Sequence, residues 1–264
     1  MRTLATLPEN LHKRILEKKK KLDSYGRLPE EVVRKIEEFM QIEFVYNSNK
    51  IAGNSLTRGE TALILRGMTV RNQNLLEVLK GKNLTDIMVV QNHPSALQFI
   101  KELAFDVKRK ITEDDIKKIH RLMMTGVTVS AGKYRQLDLG VVGARFISPL
   151  FYRIPTHMKD LVEFINENPD ELRPIELAAR AHYYLAWIAP FEDGNGRVSR
   201  LLLNFILARH GYRFAVIKNV ERKTYLESLR RAGLGDFELF LIYVARCVEQ
   251  TLDMYLLELE GKKA

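Results

Sequence analysis

The sequence predicts an all-α fold carrying one small β-hairpin. Three observations lead there. Apolar residues recur at the helical period along most of the 264 residues. Two capping boxes, Thr57 with Glu60 and Thr112 with Asp115, mark helix starts. Only the stretch 132–149, G-K-Y-R-Q-L-D-L-G-V-V-G-A-R-F-I-S-P, combines internal glycines and β-branched residues with no helical period, which reads as a hairpin.

In chain order, 8–24 and 29–46 are two amphipathic helices separated by Tyr25-Gly26 and Pro29. Val32, Val33, Ile36, Phe39, Met40 and Phe44 supply the apolar face of the second. The stretch 46–57, Y-N-S-N-K-I-A-G-N-S-L-T, is rich in small polar residues and reads as a connection. Helical pattern follows from Thr57, again over about 74–92, and restarts at Pro94 toward Phe105. Thr112 caps a helix reaching Met124, and another covers Thr156–Asn166. Pro174 stands at an N1 position before Ile175–Trp187, which is apolar on most sides and therefore central. A helix over 197–210 ends at Gly211, and the last, about 236–259, aligns Phe237, Phe240, Leu241, Val244, Val248, Leu252 and Tyr255.

Composition narrows the classes of function. With 46% hydrophobic and 28% charged residues a packed core is expected. A single cysteine, Cys247, excludes a disulfide framework and a cysteine zinc site, and suits a reducing compartment. No apolar run reaches the roughly 18 residues a membrane span needs, and the first residues lack a signal peptide's apolar region, so a soluble cytoplasmic protein is expected. The net charge of +9 gathers partly in K-R-I-L-E-K-K-K-K, from Lys13 to Lys21. That run is a solvated helix face or meets an acidic partner; no nucleic-acid motif accompanies it, so a nucleic-acid partner is not expected.

The chemistry concentrates in A-P-F-E-D-G-N-G-R-V-S-R, Ala189–Arg200. Gly194-Asn195-Gly196 can turn successive backbone N–H groups into one concavity, and a helix beginning near Arg197 adds its positive end. Arg197 and Arg200, three apart, share a face and can grip one polyphosphate. Asp193 is a hard oxygen ligand where a phosphate-bound magnesium would sit. Read alone, the Gly-Asn-Gly turn could merely cap a helix, and the arginines could be surface ion-pair partners; together they point to a nucleotide phosphate chain. A base is missing, since Ala189 stands where one is expected. Of the six histidines, His12, His93, His120, His157, His182 and His210, only His182 is near in sequence, and on a buried helix it reads better as a core residue than as a substitute base.

These residues resemble the Fic family. Ala189–Arg200 is similar to its signature H-P-F-x-[D/E]-G-N-G-R-x-x-R at every fixed position but the first. The stretch G-K-Y-R…V-G-A-R resembles the flap beside the Fic active site. Y-N-S-N-K-I-A-G-N-S-L-T resembles the inhibitory segment [S/T]-x-x-x-E-[G/N], matching at Ser48 and Gly53, followed by Asn54, but with Ala52 in place of the glutamate. The likeness spans about 30–258 and implies N-terminal helices over 1–92, with the inhibitory segment 46–57. A Fic core over 93–264 would then contain flap 132–149 and signature loop 189–200.

The resemblance implies transfer of AMP from ATP, with Mg²⁺, to a Ser, Thr or Tyr hydroxyl of a target protein or of the chain itself, and possible pairing as a homodimer. Asp193 would hold the metal. The backbone of Gly194, Asn195 and Gly196 would cradle phosphates, and Arg197 and Arg200 would hold the β- and γ-phosphates. Val142 and Gly143 would lie near the nucleotide. Tyr225 would pack by adenine, with a place in the core as the alternative. Gly233 departs from an asparagine that contacts nucleotide in the family. The base would be the histidine at position 189, whose loss should cost at least about 10²–10⁴-fold. The inhibitory glutamate would pair with Arg200, so Ala52 should leave Arg200 free. The chain then reads as released for nucleotide binding and disabled for turnover, by substitution at both positions or as a natural pseudoenzyme. Removal of AMP by a parent protein, and a non-catalytic nucleotide-binding module, stay open.

Overall fold

A computed structural model describes residues 5–26, 28–67, 79–139 and 148–261. Among them are ten α-helices and no strand. They are α1 (Glu9–Asp23), α2 (Glu30–Ile51), α3 (Arg58–Leu65), α4 (Leu84–Phe105), α5 (Glu113–Met124), α6 (Ile154–Glu167), α7 (Pro174–Ile188), α8 (Asn195–Arg209), α9 (Arg222–Gly233) and α10 (Glu238–Glu260). Of the expected hairpin, 132–139 and 148–149 run as turns and irregular chain, and 140–147 lies outside the described residues.

The core is built on α7 and α8, packed along each other, with α4 against α8 and α5 against α4. Val198, Leu201, Leu202, Phe205 and Leu207 of α8 are almost wholly buried, as are Ala178, Ala179, Ala181 and Leu185 of α7. The small alanines let the two helix axes approach closely. Helix α8 starts two residues before Arg197, because Gly194, at φ 81°, supplies the left-handed N-cap.

Both capping boxes are present. Thr57 Oγ1 accepts from the Glu60 amide, and Thr112 Oγ1 from that of Asp115, each with the reciprocal bond. Helix α4 does not break at Pro94, which lies in its interior, and the expected boundary at 92/93 falls inside this helix. Burial of Val89, Val90, Ala96, Leu97 and Ile100 outweighs the lost amide bond. The basic run on α1 meets the chain's own last helix. Arg14 and Lys18 pair with Glu249 at 2.9 and 3.2 Å, Lys18 also with Asp253 at 2.7 Å, and Lys21 with Glu260 at 2.6 Å. No helix among the described residues is long and apolar enough to cross a membrane.

Helix α2 also runs further than its composition suggests, to Ile51. Asn47, Ser48 and Asn49 are polar yet buried, and each has a hydrogen-bond partner, although Asn49 Oδ1 has none among the described residues. Asn47 Oδ1 accepts the Asn219 amide at 2.8 Å, and the Ile51 carbonyl accepts Arg222 Nε at 2.9 Å. The end of α2 is thereby held against the start of α9.

Candidate active site

The loop from α7 to α8 is a closed unit. Ala189 ends α7 in the left-handed region, φ 44° and ψ 62°, its amide bonded to the Leu185 carbonyl at 3.0 Å. Few non-glycine residues adopt such a conformation. Asn195 staples the turn shut: its Nδ2 donates to the Phe191 carbonyl at 2.7 Å, and its Oδ1 accepts the Phe191 amide at 2.9 Å. Gly194 has no side chain because a Cβ there would stand 3.3 Å from the His120 ring and from Met124 Sδ. Gly196 leaves room for Arg200, whose Nη1 would be 3.3 Å from a Cβ. No side chain caps α8, so its first amides are open to an anion.

The charged groups sit on this frame. Arg197 is buried, and its Nη2 donates to Asp193 Oδ2 at 2.8 Å, while its Nε has no partner among the described residues. Asp193 Oδ1 accepts the Gly194 amide at 2.6 Å, yet the side chain is 70% exposed. One reachable carboxylate suits a magnesium that takes its remaining ligands from phosphate and water. Among the described residues no group of three His, Cys, Asp or Glu could hold a metal unaided.

Arg200 is not free. It is 3% exposed; its Nε donates to Ser48 Oγ at 3.0 Å and its Nη2 to the Ser48 carbonyl at 2.7 Å. Nη1 lies 3.4 Å from the Tyr225 hydroxyl. Alanine at position 52 therefore does not release this arginine, because a buried guanidinium takes whatever acceptors the helix offers. Burial pulls the Arg200 pKa down, the Tyr225 hydroxyl acting against it. Ala52 itself caps α2 in an exposed position one turn beyond Ser48, on the same face. Gly53 follows at φ 95°, and Asn54 closes the turn through the Asp86 carbonyl at 3.0 Å and the Leu56 amide at 2.9 Å.

Tyr225 does not offer a face to adenine. It is 2% exposed, and its hydroxyl sits between Arg200 and His182 Nε2, 3.0 Å away. His182 is wholly buried; desolvation first, then the charge of Arg200, pushes its pKa down to about 3. It is a neutral core histidine and no substitute base. Val142 and Gly143 lie outside the described residues. Gly233 is the last residue of α9.

Two residues that the sequence reading gives no role of their own complete the site. His120 stacks on Phe191 at 3.8 Å, accepts the Gly132 amide at Nδ1 (2.8 Å), and so donates from Nε2 to the Asp193 carbonyl (3.0 Å). Burial lowers its pKa to about 4 despite that bond. Arg135, buried, donates from Nε to the Ala189 carbonyl at 2.9 Å. Neither has a local signal, since their partners lie 73 and 54 residues away.

The helical fold thus sets an uncapped helix N-terminus and two buried arginines around a Gly-Asn-Gly turn. Comparison with known proteins is specific. Residues 110–207 match the Fic/DOC family. The chain is 35% identical over 262 residues to "Protein adenylyltransferase Fic" of Nematostella vectensis, covering 95% of this chain and 56% of that protein. Its fold matches a Fic domain containing signaling protein from Bacteroides thetaiotaomicron with a TM-score of 0.82 and 30% identity, over 95% of this chain and 98% of the other. It also matches a fragment of Fic-1 from C. elegans with a TM-score of 0.80 and 30% identity, over 95% and 71%. The chain belongs to the Fic family. It spans about half the length of the curated relatives it matches.

Proposed function

We propose that this chain is the catalytic unit of a protein adenylyltransferase, using Mg-ATP to place AMP on a Ser, Thr or Tyr hydroxyl, in a form that binds nucleotide and hardly turns over. The observation that carries the reading is the α8 N-terminus with Arg197 and Arg200 on one buried face, in a chain similar to proteins named as adenylyltransferases.

Amides at the start of α8 would take phosphate oxygens, and Arg197 would add charge stabilisation once it exchanges Asp193 for the nucleotide. Asp193 would hold a magnesium, which supplies charge neutralisation on the phosphates. Arg200 would exchange Ser48 for a terminal phosphate. Nothing at position 189 can take the proton of an incoming hydroxyl, because alanine has no ionisable group.

That last point favours a second reading, a nucleotide-binding module without turnover. Removal of AMP would need the glutamate that position 52 lacks. Transfer of phosphate or phosphocholine, as by other Fic proteins, fits less well, since the intact G-N-G-R-x-x-R favours ATP and a kinase-type Fic departs from that pattern. The deciding experiment is Ala189→His with labelled ATP and Mg²⁺. Label should appear on the chain or on an added target. A folded, ATP-binding variant that labels nothing would sink the transferase reading.

A further inference from the structure

We infer that Arg135 is a positioning residue for the side chain at position 189, an inference that rests on the transfer reading above. Arg135 is 2% exposed, among the most deeply buried large side chains of the protein. Burying a guanidinium is costly unless its donors are satisfied. Its carboxylate partner, Asp138, is half exposed, pairs with Nη1 at a long 3.6 Å and accepts the Phe151 amide at 2.8 Å.

All three nitrogens instead bond backbone carbonyls. Nε donates to Ala189 at 2.9 Å, Nη1 to Leu137 at 2.8 Å and Nη2 to Pro149 at 2.6 Å. The Arg135 amide donates to the Pro190 carbonyl at 2.9 Å. A planar fork holds three acceptors in one fixed relation, which a lysine cannot do. Two of these acceptors flank the stretch between 137 and 149. The third belongs to the residue whose side chain would have to meet the reacting hydroxyl.

Ala189 is held at φ 44° immediately before Pro190. That placement is doubly unfavourable, since alanine avoids positive φ and a residue before proline prefers extended backbone. Arg135 binds the carbonyls of Ala189 and of Pro190, the two residues that follow one another through this strained link. With the backbone at 189 set, the Cα–Cβ direction there is set too, and so is the line along which a base at that position points. Phosphate binding, by contrast, is built from α8 and makes no use of Arg135.

The test has two readouts. In the chain as it stands, Arg135→Lys should move residue 189 out of the left-handed region, read from the Ala189 Cα and Cβ chemical shifts and its amide–Hα coupling. On the Ala189→His background, the same change should lower turnover at saturating ATP roughly 10–100-fold and move KM for ATP less than about threefold. Left-handed geometry retained at 189 in a folded Arg135→Lys protein overturns the inference. So does KM rising in step with the fall in turnover. Arg135→Gln, which buries no charge, carries the same test if the lysine variant does not fold. If neither folds, Arg135 is a structural residue and the inference falls. An inactive Ala189→His parent would remove the transfer reading alone, and the backbone readout would still decide what Arg135 does to residue 189.

Discussion

Ser48 receives the Arg200 guanidinium twice, through its hydroxyl at 3.0 Å and its backbone carbonyl at 2.7 Å. The contact joins α2 to α8 across 152 residues of sequence and is buried. Ser48→Ala removes one acceptor and leaves the other. A buried hydrogen bond to a charged group is worth about 1.5–3 kcal/mol, so urea unfolding should show a loss of that order. ATP affinity should rise about three- to tenfold in the same variant, because Arg200 gives up less to meet a phosphate. Lower stability with unchanged ATP affinity would mean that Arg200 takes no part in nucleotide binding.

Ala52→Glu should act in the opposite direction. Position 52 lies one turn past Ser48 on the face that meets Arg200, so a carboxylate there can add a charged acceptor to the two already in place. Stability should rise, and ATP affinity should fall. On the Ala189→His background labelling should drop at least about tenfold. Labelling at the parent rate would refute the latch between this helix and Arg200.

Two alanines, one in the middle of α7 and one at its C-cap, separate local strain from packing. Ala181, fully buried within the helix, should cost about 1.5–2 kcal/mol on change to glycine, combining helix propensity with a lost methyl. Ala189→Gly loses a similar methyl but relieves a positive φ worth about 1–2 kcal/mol. Against a methyl worth about 0.8 kcal/mol, the net effect should run from near zero to about 1 kcal/mol of stabilisation. Paired urea titrations decide it, and equal losses at both positions would show that residue 189 carries no strain.

What the sequence makes legible is local. The capping residues Thr57 and Thr112 signal their helices because donor and acceptor lie three residues apart. The signature loop is readable for the same reason, Asn195 closing on Phe191. The departures all have distant causes. Asn47, Ser48 and Asn49 read as a connection because polar residues rarely continue a buried helix; their partners Asn219 and Arg200 come from far along the chain. Pro94 reads as a break because local cost is visible and tertiary burial is not. Tyr225 reads as available to adenine, since nothing nearby in sequence reveals that its hydroxyl lies on His182 and Arg200. Helix α9 has no place in the sequence reading, although Tyr225, Leu229 and Ala232 keep the helical spacing and are buried.

Three histidines give the protein an acid limit. Burial lowers His93 and His182 to about 3 and His120 to about 4, against an ordinary value of 6.5. All three are neutral when folded. The unfolded chain binds more protons below about pH 6.5, so stability is full above that value and declines as pH falls toward 4 and then 3. Each histidine can contribute up to about 1.4 kcal/mol per pH unit inside its window. Urea titrations at about pH 7.5 and about pH 5 should therefore show a clear loss at the lower pH. His182→Phe should shrink that difference if it folds, and no difference between the two pH values would mean these rings are protonated in the native state.

Asp193 and Arg197 neutralise each other at 2.8 Å, and that pairing predicts how metal and nucleotide are linked. The aspartate side chain is 70% exposed, so the pair adds little stability and Asp193→Asn should unfold close to the parent. Its consequence lies in binding. Without metal, the parent must separate Arg197 from a carboxylate before the arginine can meet a phosphate, whereas with magnesium the carboxylate gains a new partner of its own. ATP affinity in the parent should therefore be much weaker in EDTA than in Mg²⁺. The amide introduced by Asp193→Asn has no charge to hold either group. In that variant affinity in EDTA should improve, affinity in Mg²⁺ should fall, and the two should converge within about threefold. Isothermal titration with and without metal measures all four values. A variant that keeps the parent's full magnesium dependence would place the metal on ligands other than Asp193.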